Sequence, residues 1–217
     1  MAKSTATLSA ISFEYASVKH ASHCPLGIYV QPSAGSLLVW DGVFFVHKGY
    51  YGGAVLKFRL SFPSDYPQRP PQVHFVTDVF HPLVSQRDGL FSITPRLGKW
   101  KPNEHHVFDV LFWIKSAFKK HALDQLKDKD CLNQEAFSRY RESTASFAAL
   151  ATQSALLSQS DHALYDQDYP SMTGKRHQSF AFHETSPDVL KELREQLGLQ
   201  EWGKNSEGAE KAEGERS

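Results

Sequence analysis

Cysteine is scarce in this 217-residue chain: Cys24 and Cys131 are the only two, and they lie far apart. That excludes a disulfide framework or a CxxC metal site and fits a reducing compartment. No apolar stretch approaches the roughly 20 residues of a membrane span. Met1 to Ala10 lacks the apolar run of roughly 7–15 residues that a secretory signal needs, so a soluble, cytoplasmic protein is expected. Neither sign of charge dominates, since 24 Lys and Arg balance 24 Asp and Glu. A dedicated nucleic-acid binder would carry clustered positive charge, so neither nucleic acid nor membrane insertion is expected. What is present is apolar: hydrophobic residues make up 41% of the chain, enough for a sizeable core. At roughly 100–200 residues per domain, the length predicts one domain with extensions. No internal repeat is visible.

Periodicity orders the chain. Leu8, Ile11, Tyr15 and Val18 recur at helical spacing and predict an amphipathic helix from about Leu8 to His20, after a flexible segment 1–7. Short β-prone runs follow at Ile28 to Gln31, Ser36 to Trp40 and Val43 to His47. Asp41-Gly42 between the last two is a strong hairpin signal. In residues 54–62, Leu56, Phe58, Leu60 and Phe62 alternate with Lys57, Arg59 and Ser61, which predicts a half-buried strand. Val73 to Val76 begins a last strand, and short links join these runs into an antiparallel meander, expected to be four-stranded. Thr77 to Asn103 shows no period and is expected to be a long, functional loop. Val107, Val110, Leu111, Ile114, Ala117 and Phe118 mark a helix. Asn133 caps a further one carrying Phe137, Tyr140, Thr144, Phe147 and Ala151 on one side. After an irregular stretch from Ser158, Ser186-Pro187 and Gly198 bracket a helix over 187–197. Residues 203–217 contain no large apolar side chain and are expected to be disordered.

This α+β order, helix, meander, long loop, helices, resembles the ubiquitin-conjugating-like fold, and the match covers about residues 8–157. Phe62-Pro63-x-x-Tyr66-Pro67-x-x-Pro70-Pro71 is similar to that family's strand-to-loop signature. Phe80-His81-Pro82 looks like the start of its His-Pro-Asn motif, and Trp100-x-Pro102 like the tryptophan motif that closes its active-site loop. The resemblance implies a cysteine three residues after the loop glycine and eight before the tryptophan. Counts from Gly89 and from Trp100 both reach Ser92. A serine hydroxyl is a far weaker nucleophile than a thiolate. The motif's asparagine, an oxyanion donor in the family, is matched by Leu83, which has no donor. The catalytic site is therefore expected to be degenerate at Ser92, Leu83 and His81, and the chain not to be an enzyme.

Within the inactive members, His81-Pro82-Leu83-Val84 resembles the AKT-interacting, or fused toes, family. So does Leu164-Tyr165-Asp166 leading to Phe180-x-Phe182 and a closing helix. That resemblance implies a scaffold subunit in a complex with a Hook-type coiled-coil protein and a FHIP-type protein, linking vesicular or endosomal cargo to dynein at early endosomes or microtubules. The rival expectation is a conjugating-enzyme variant that binds ubiquitin and assists an active partner.

Other residues invite sharper readings. Ser92 could form an oxyester with His81 or Asp88 as base, and Cys131 could be a displaced thiol, although a plain half-buried cysteine is the better expectation. His20-x-x-His23-Cys24 is a weak zinc signal without a distant fourth ligand, so no metal and no cofactor are expected. His105-His106 does not converge on one ion. Phe108, Phe112, Trp113 and Phe118 are expected in the core, with at most part of one face available to a partner. Leu190, Leu193, Leu197 and Trp202 either fold back on the domain or offer an apolar strip to a coiled-coil partner.

Overall fold

A computed structural model describes residues 5–166, 180, 182–183 and 185–198. The chain divides into two compact units, Met1–Ala181 and Phe182–Ser217. Helix α1 spans Thr5–Val18 and buries Thr7, Ile11, Glu14 and Val18. This stripe is rotated from the apolar face that Leu8 and Tyr15 predict, and both of those side chains are only half-buried. The rotation carries a carboxylate, Glu14, into the interior. The helix also begins before Leu8. Its first turn is held because the Thr7 hydroxyl donates to the Ser64 carbonyl at 3.0 Å, within the segment expected to be flexible.

Five antiparallel strands follow in sequential order: β1 Ile28–Ser33, β2 Ser36–Phe45, β3 Val55–Ser61, β4 Gln72–Phe75 and β5 Leu90–Phe91. The expected meander is β1 to β4, and the loop adds β5. The hairpin expected at Asp41-Gly42 is not there. β2 runs straight through both residues, and the chain reverses at Ala34-Gly35, between the paired Ser33 and Ser36. A partner strand overrides the turn signal. Asp41 lies opposite Arg59, whose guanidinium reaches its carboxylate at 2.7 Å. Gly42 lies opposite Phe58, whose ring is 2.4 Å from where a Cβ at Gly42 would sit. An extended glycine there makes room for the ring.

Leu56, Phe58 and Leu60 point inward, as the alternation predicts, and join Trp40, Phe44, Val73 and Phe75 in one core. Helix α3, Val107–Ala117, closes that side, with the Phe118 ring that follows it 5.5 Å from Phe44 and 5.7 Å from Phe75. The other side of β3 departs from the expected half-buried strand. Asp41 is 0% and Lys57 3% exposed. A one-turn π-helix, His162–Asp166, lies over that face, and Lys57 Nζ donates to its Leu164 carbonyl at 2.9 Å. The Val55 N–H donates to Ser158 Oγ at 3.0 Å. The long aliphatic stem of lysine suits a covered site, provided that its ammonium finds oxygen. The chain just past residue 157 therefore packs on the sheet layer.

Among the described residues of the first unit, the remaining α-helices are α2 Thr94–Leu97, α4 Lys120–Gln125, α5 Gln134–Glu142 and α6 Thr144–Leu157. Asn133 caps α5 as predicted, accepting from the Ala136 N–H at 3.0 Å. The single helix expected from Asn133 is two. Ser143, at φ −148° and ψ 84°, breaks it and caps α6 through the Ser146 N–H. In the second unit, α7 spans Pro187–Gln196, capped by Ser186 and followed by Gly198 at φ +65°. Trp202 and residues 203–217 lie outside the described residues. No helix among the described residues is long and apolar enough to cross a membrane.

Candidate functional site

The loop between β4 and α3 is tied at several points. Val84 bridges Phe91, and the Ser92 N–H donates to the Leu83 carbonyl at 2.9 Å. Trp113 Nε1 donates to the Ser92 carbonyl at 3.0 Å, so α3 holds the serine's backbone. Gly89 has φ +72°, and a Cβ there would stand 2.2 Å from the Phe75 carbonyl oxygen. Only glycine fits that turn. Farther along, Trp100 Nε1 donates to the Pro67 carbonyl at 2.8 Å. The tryptophan motif thus closes the loop onto the Tyr66-Pro67 segment.

His81 and Leu83 are interior residues, each 0% exposed. The Leu83 N–H donates to His81 Nδ1 at 3.0 Å, and His81 Nε2 donates to the Ala117 carbonyl at 3.2 Å. With one nitrogen accepting and the other donating, the ring is a neutral imidazole. Burial drives its pKa down to about 4. This histidine pins the loop to the end of α3 and has no free nitrogen with which to take a proton from Ser92.

The other candidates differ in what holds them. Asp88 Oδ1 accepts from the Leu90 N–H at 3.3 Å. Hydrogen bonds from Ser85 and that N–H hold its carboxyl below the usual range. Ser92 is half-buried, and its hydroxyl makes no hydrogen bond among the described residues. Cys131 is buried rather than half-buried. Burial, with Asp130 and Asp128 nearby, pushes its thiol up to about 11, the reverse of a reactive cysteine. Of the weak zinc cluster, His20 bonds Ser22, His23 bonds Ser17 at 2.8 Å, and Cys24 Sγ donates to the Ile28 carbonyl. Trp113 and Phe118 are core, whereas Phe108 is half-buried and Phe112 is 45% exposed.

A family model described as ubiquitin-conjugating enzyme matches residues 11–155. The chain belongs to the ubiquitin-conjugating enzyme family. It is 34% identical over 172 residues to the AKT-interacting protein of Danio rerio, an overlap of 79% of this chain and 55% of that protein. For the AKT-interacting protein of Homo sapiens the identity is 31%, with the same coverage. Protein crossbronx homolog of Anopheles gambiae is 31% identical over 142 residues, 64% of this chain and 61% of that protein. The chain spans about half the length of the curated relatives it matches. Its place in the ubiquitin-conjugating family and its α+β fold agree with what the proline, histidine and tryptophan motifs imply.

The helix-to-loop corner of this ubiquitin-conjugating fold holds a polar centre that apolar spacing did not reveal. Glu14 Oε1 accepts from the Tyr66 hydroxyl at 2.8 Å and lies 3.0 Å from His106 Nδ1. Its Oε2 accepts from the Val107 N–H, at the start of α3, at 3.0 Å. A helix N-terminus favours a carboxylate because its first N–H groups lack partners. The available signal was an acid one turn from both Ile11 and Val18. Leu190, Leu193 and Leu197 lie on or just beyond α7 and are 41%, 45% and 70% exposed.

Proposed function

We propose that this chain is a catalytically inactive member of the ubiquitin-conjugating family that acts as a scaffold subunit. Its partners in this reading are a Hook-type coiled-coil protein and a FHIP-type protein. The assembly links vesicles or early endosomes to dynein along cytoplasmic microtubules. The observation that carries the inactive half is the burial of Leu83. The position matched to the family's oxyanion donor is a core leucine, and the adjoining His81 spends both ring nitrogens on backbone groups. Ser92 then lacks a base, an oxyanion donor and a thiol at once. The partner half rests on the likeness to AKT-interacting proteins and on α7, whose leucines repeat at the spacing used in helix-in-groove recognition.

Conjugation, purification and binding experiments test the reading. Incubation with activating enzyme, ATP and ubiquitin should give no adduct sensitive to thiol or to hydroxide. Ser92→Cys alone should not restore discharge to lysine, and discharge at an active enzyme's rate would overturn the account of Leu83. Affinity purification of the full chain should recover a Hook-type coiled coil. Recovery of an active conjugating enzyme or ubiquitin instead would favour the ubiquitin-binding variant. Leu193→Asp with Leu197→Asp should weaken the coiled-coil interaction more than tenfold, about 1.4 kcal/mol.

A further inference from the structure

Charge that balances over the whole chain is unevenly placed along it. No Asp or Glu occurs in residues 15–40, 42–64 or 110–123. The fold brings part of each stretch to one corner. The Phe45 N–H donates to the Gly27 carbonyl at 2.8 Å, and His47 Nε2 lies 3.4 Å from where a Cβ at Gly27 would sit. The loop after β2 also meets the end of α3, where a Cβ at Gly49 would stand 3.9 Å from the Phe118 carbonyl oxygen. Lys115 Nζ donates to the Leu26 carbonyl at 2.6 Å. Lys48, Lys119 and Lys120 are exposed, and none of them forms an ion pair among the described residues. Asp124 lies one turn beyond Lys120, accepts from the Tyr140 hydroxyl, and has Arg141 donating to its carbonyl at 3.2 Å. Counted at full charge, that one carboxylate still leaves the four lysines a net +3.

Apolar groups stand out of the same corner. Leu26 sits on a turn closed by the Ile28 N–H and the Pro25 carbonyl at 3.0 Å, and it is 78% exposed. Tyr29 is 53% exposed, its ring edge-on to Phe45 at 5.9 Å. We infer that this corner docks on an anionic membrane surface, with Leu26 and Tyr29 at headgroup depth and Lys48, Lys119 and Lys120 against the lipid anions. Binding of this kind adds apolar burial to attraction for anionic lipid. Tyrosine suits the boundary because its body is apolar and its tip polar. A folded acidic partner would bury a wider apolar patch, and single-stranded RNA would stack on several flat rings. A lone leucine on a turn instead enters a deformable headgroup layer. The contact needs no spanning helix. It goes beyond the scaffold reading and does not rest on it.

The test is cosedimentation of the full chain with phosphatidylcholine vesicles, with and without about 30% phosphatidylserine. Binding should require phosphatidylserine and fall at least tenfold between about 0.1 M and about 0.5 M salt. Each lysine near such a surface strengthens binding about fivefold. Lys119→Gln with Lys120→Gln should therefore weaken it at least tenfold, and Leu26→Asp at least threefold, each with an unchanged melting temperature. Lys127→Gln with Lys129→Gln, which removes equal charge elsewhere, should leave binding within twofold. No binding to the anionic vesicles, smaller losses, or an equal loss from the Lys127 and Lys129 variant would overturn the proposal. So would tighter Lys119-dependent binding of a glutamate-rich peptide or a short single-stranded RNA.

Discussion

Replacing Glu14 with alanine should destabilise the domain by about 3 kcal/mol, because one side chain serves three elements. It accepts from Tyr66 of the proline-rich turn and Val107 of α3, and meets His106. Tyr66 is 2% and Val107 0% exposed, so water does not readily replace the lost acceptor. Each buried donor left unpaired costs roughly 1–3 kcal/mol, and a lost carboxylate at a helix N-terminus adds roughly 0.3–1 kcal/mol. The contact with His106 is left out of this sum, since that ring is 40% exposed and solvent screens it. At roughly 2–4 °C per kcal/mol for a chain of this size, the melting temperature should fall by roughly 6–12 °C. Glu14→Gln should rescue little, because its NH₂ would face donors. Tyr66→Phe should cost about 1 kcal/mol, and the double variant should fall short of the sum, since the tyrosine's loss is already counted. Thermal or urea denaturation reads the parent and all four variants. A Glu14→Ala midpoint within 2 °C of the parent, or strict additivity with Tyr66→Phe, would refute the clip.

Gly42→Ala should cost roughly 1–3 kcal/mol in urea melts, because its methyl would intrude on the Phe58 ring. Stability at or above the parent's would mean that the ring shifts freely. Leu83→Asn should not build a working donor but lower stability by roughly 3–5 kcal/mol, since it removes a core side chain and buries an amide. A stable variant that also discharges ubiquitin together with Ser92→Cys would contradict that. His81 is neutral in the folded chain, its pKa lowered from 6.5 to about 4. Unfolding lets it take up a proton, so the stabilisation is complete above about pH 6.5 and is lost as pH falls toward about 4, by roughly 3 kcal/mol in all. Denaturant midpoints across that window should show this slope in the parent and lose it in His81→Gln. Equal slopes in both would assign the titration elsewhere.

The order of elements followed from periodicity and from proline because both act locally. Alternation at Leu56, Phe58 and Leu60 sets a strand's faces whatever lies beside it. The prolines around Tyr66 end a ladder that they cannot join. The resemblance to the ubiquitin-conjugating family, counted from Gly89 and Trp100, implied that Ser92 stands at the family's cysteine position. What local pattern could not supply was the partner of each polar group. Asp41-Gly42 reads as a turn until Arg59 and Phe58 stand across from it. Glu14 finds its partners only when Tyr66 and the start of α3 are brought to it. Lys57 reads as surface until Leu164 covers it. His81 looked like a base and proved a buried brace, because its two acceptor and donor partners come from different parts of the chain, Leu83 beside it and Ala117 at the end of α3. Hydrophobic periodicity is written into neighbouring residues. The satisfaction of a buried charge depends on residues up to 107 positions away in the chain, and only the packed structure brings them within 3 Å.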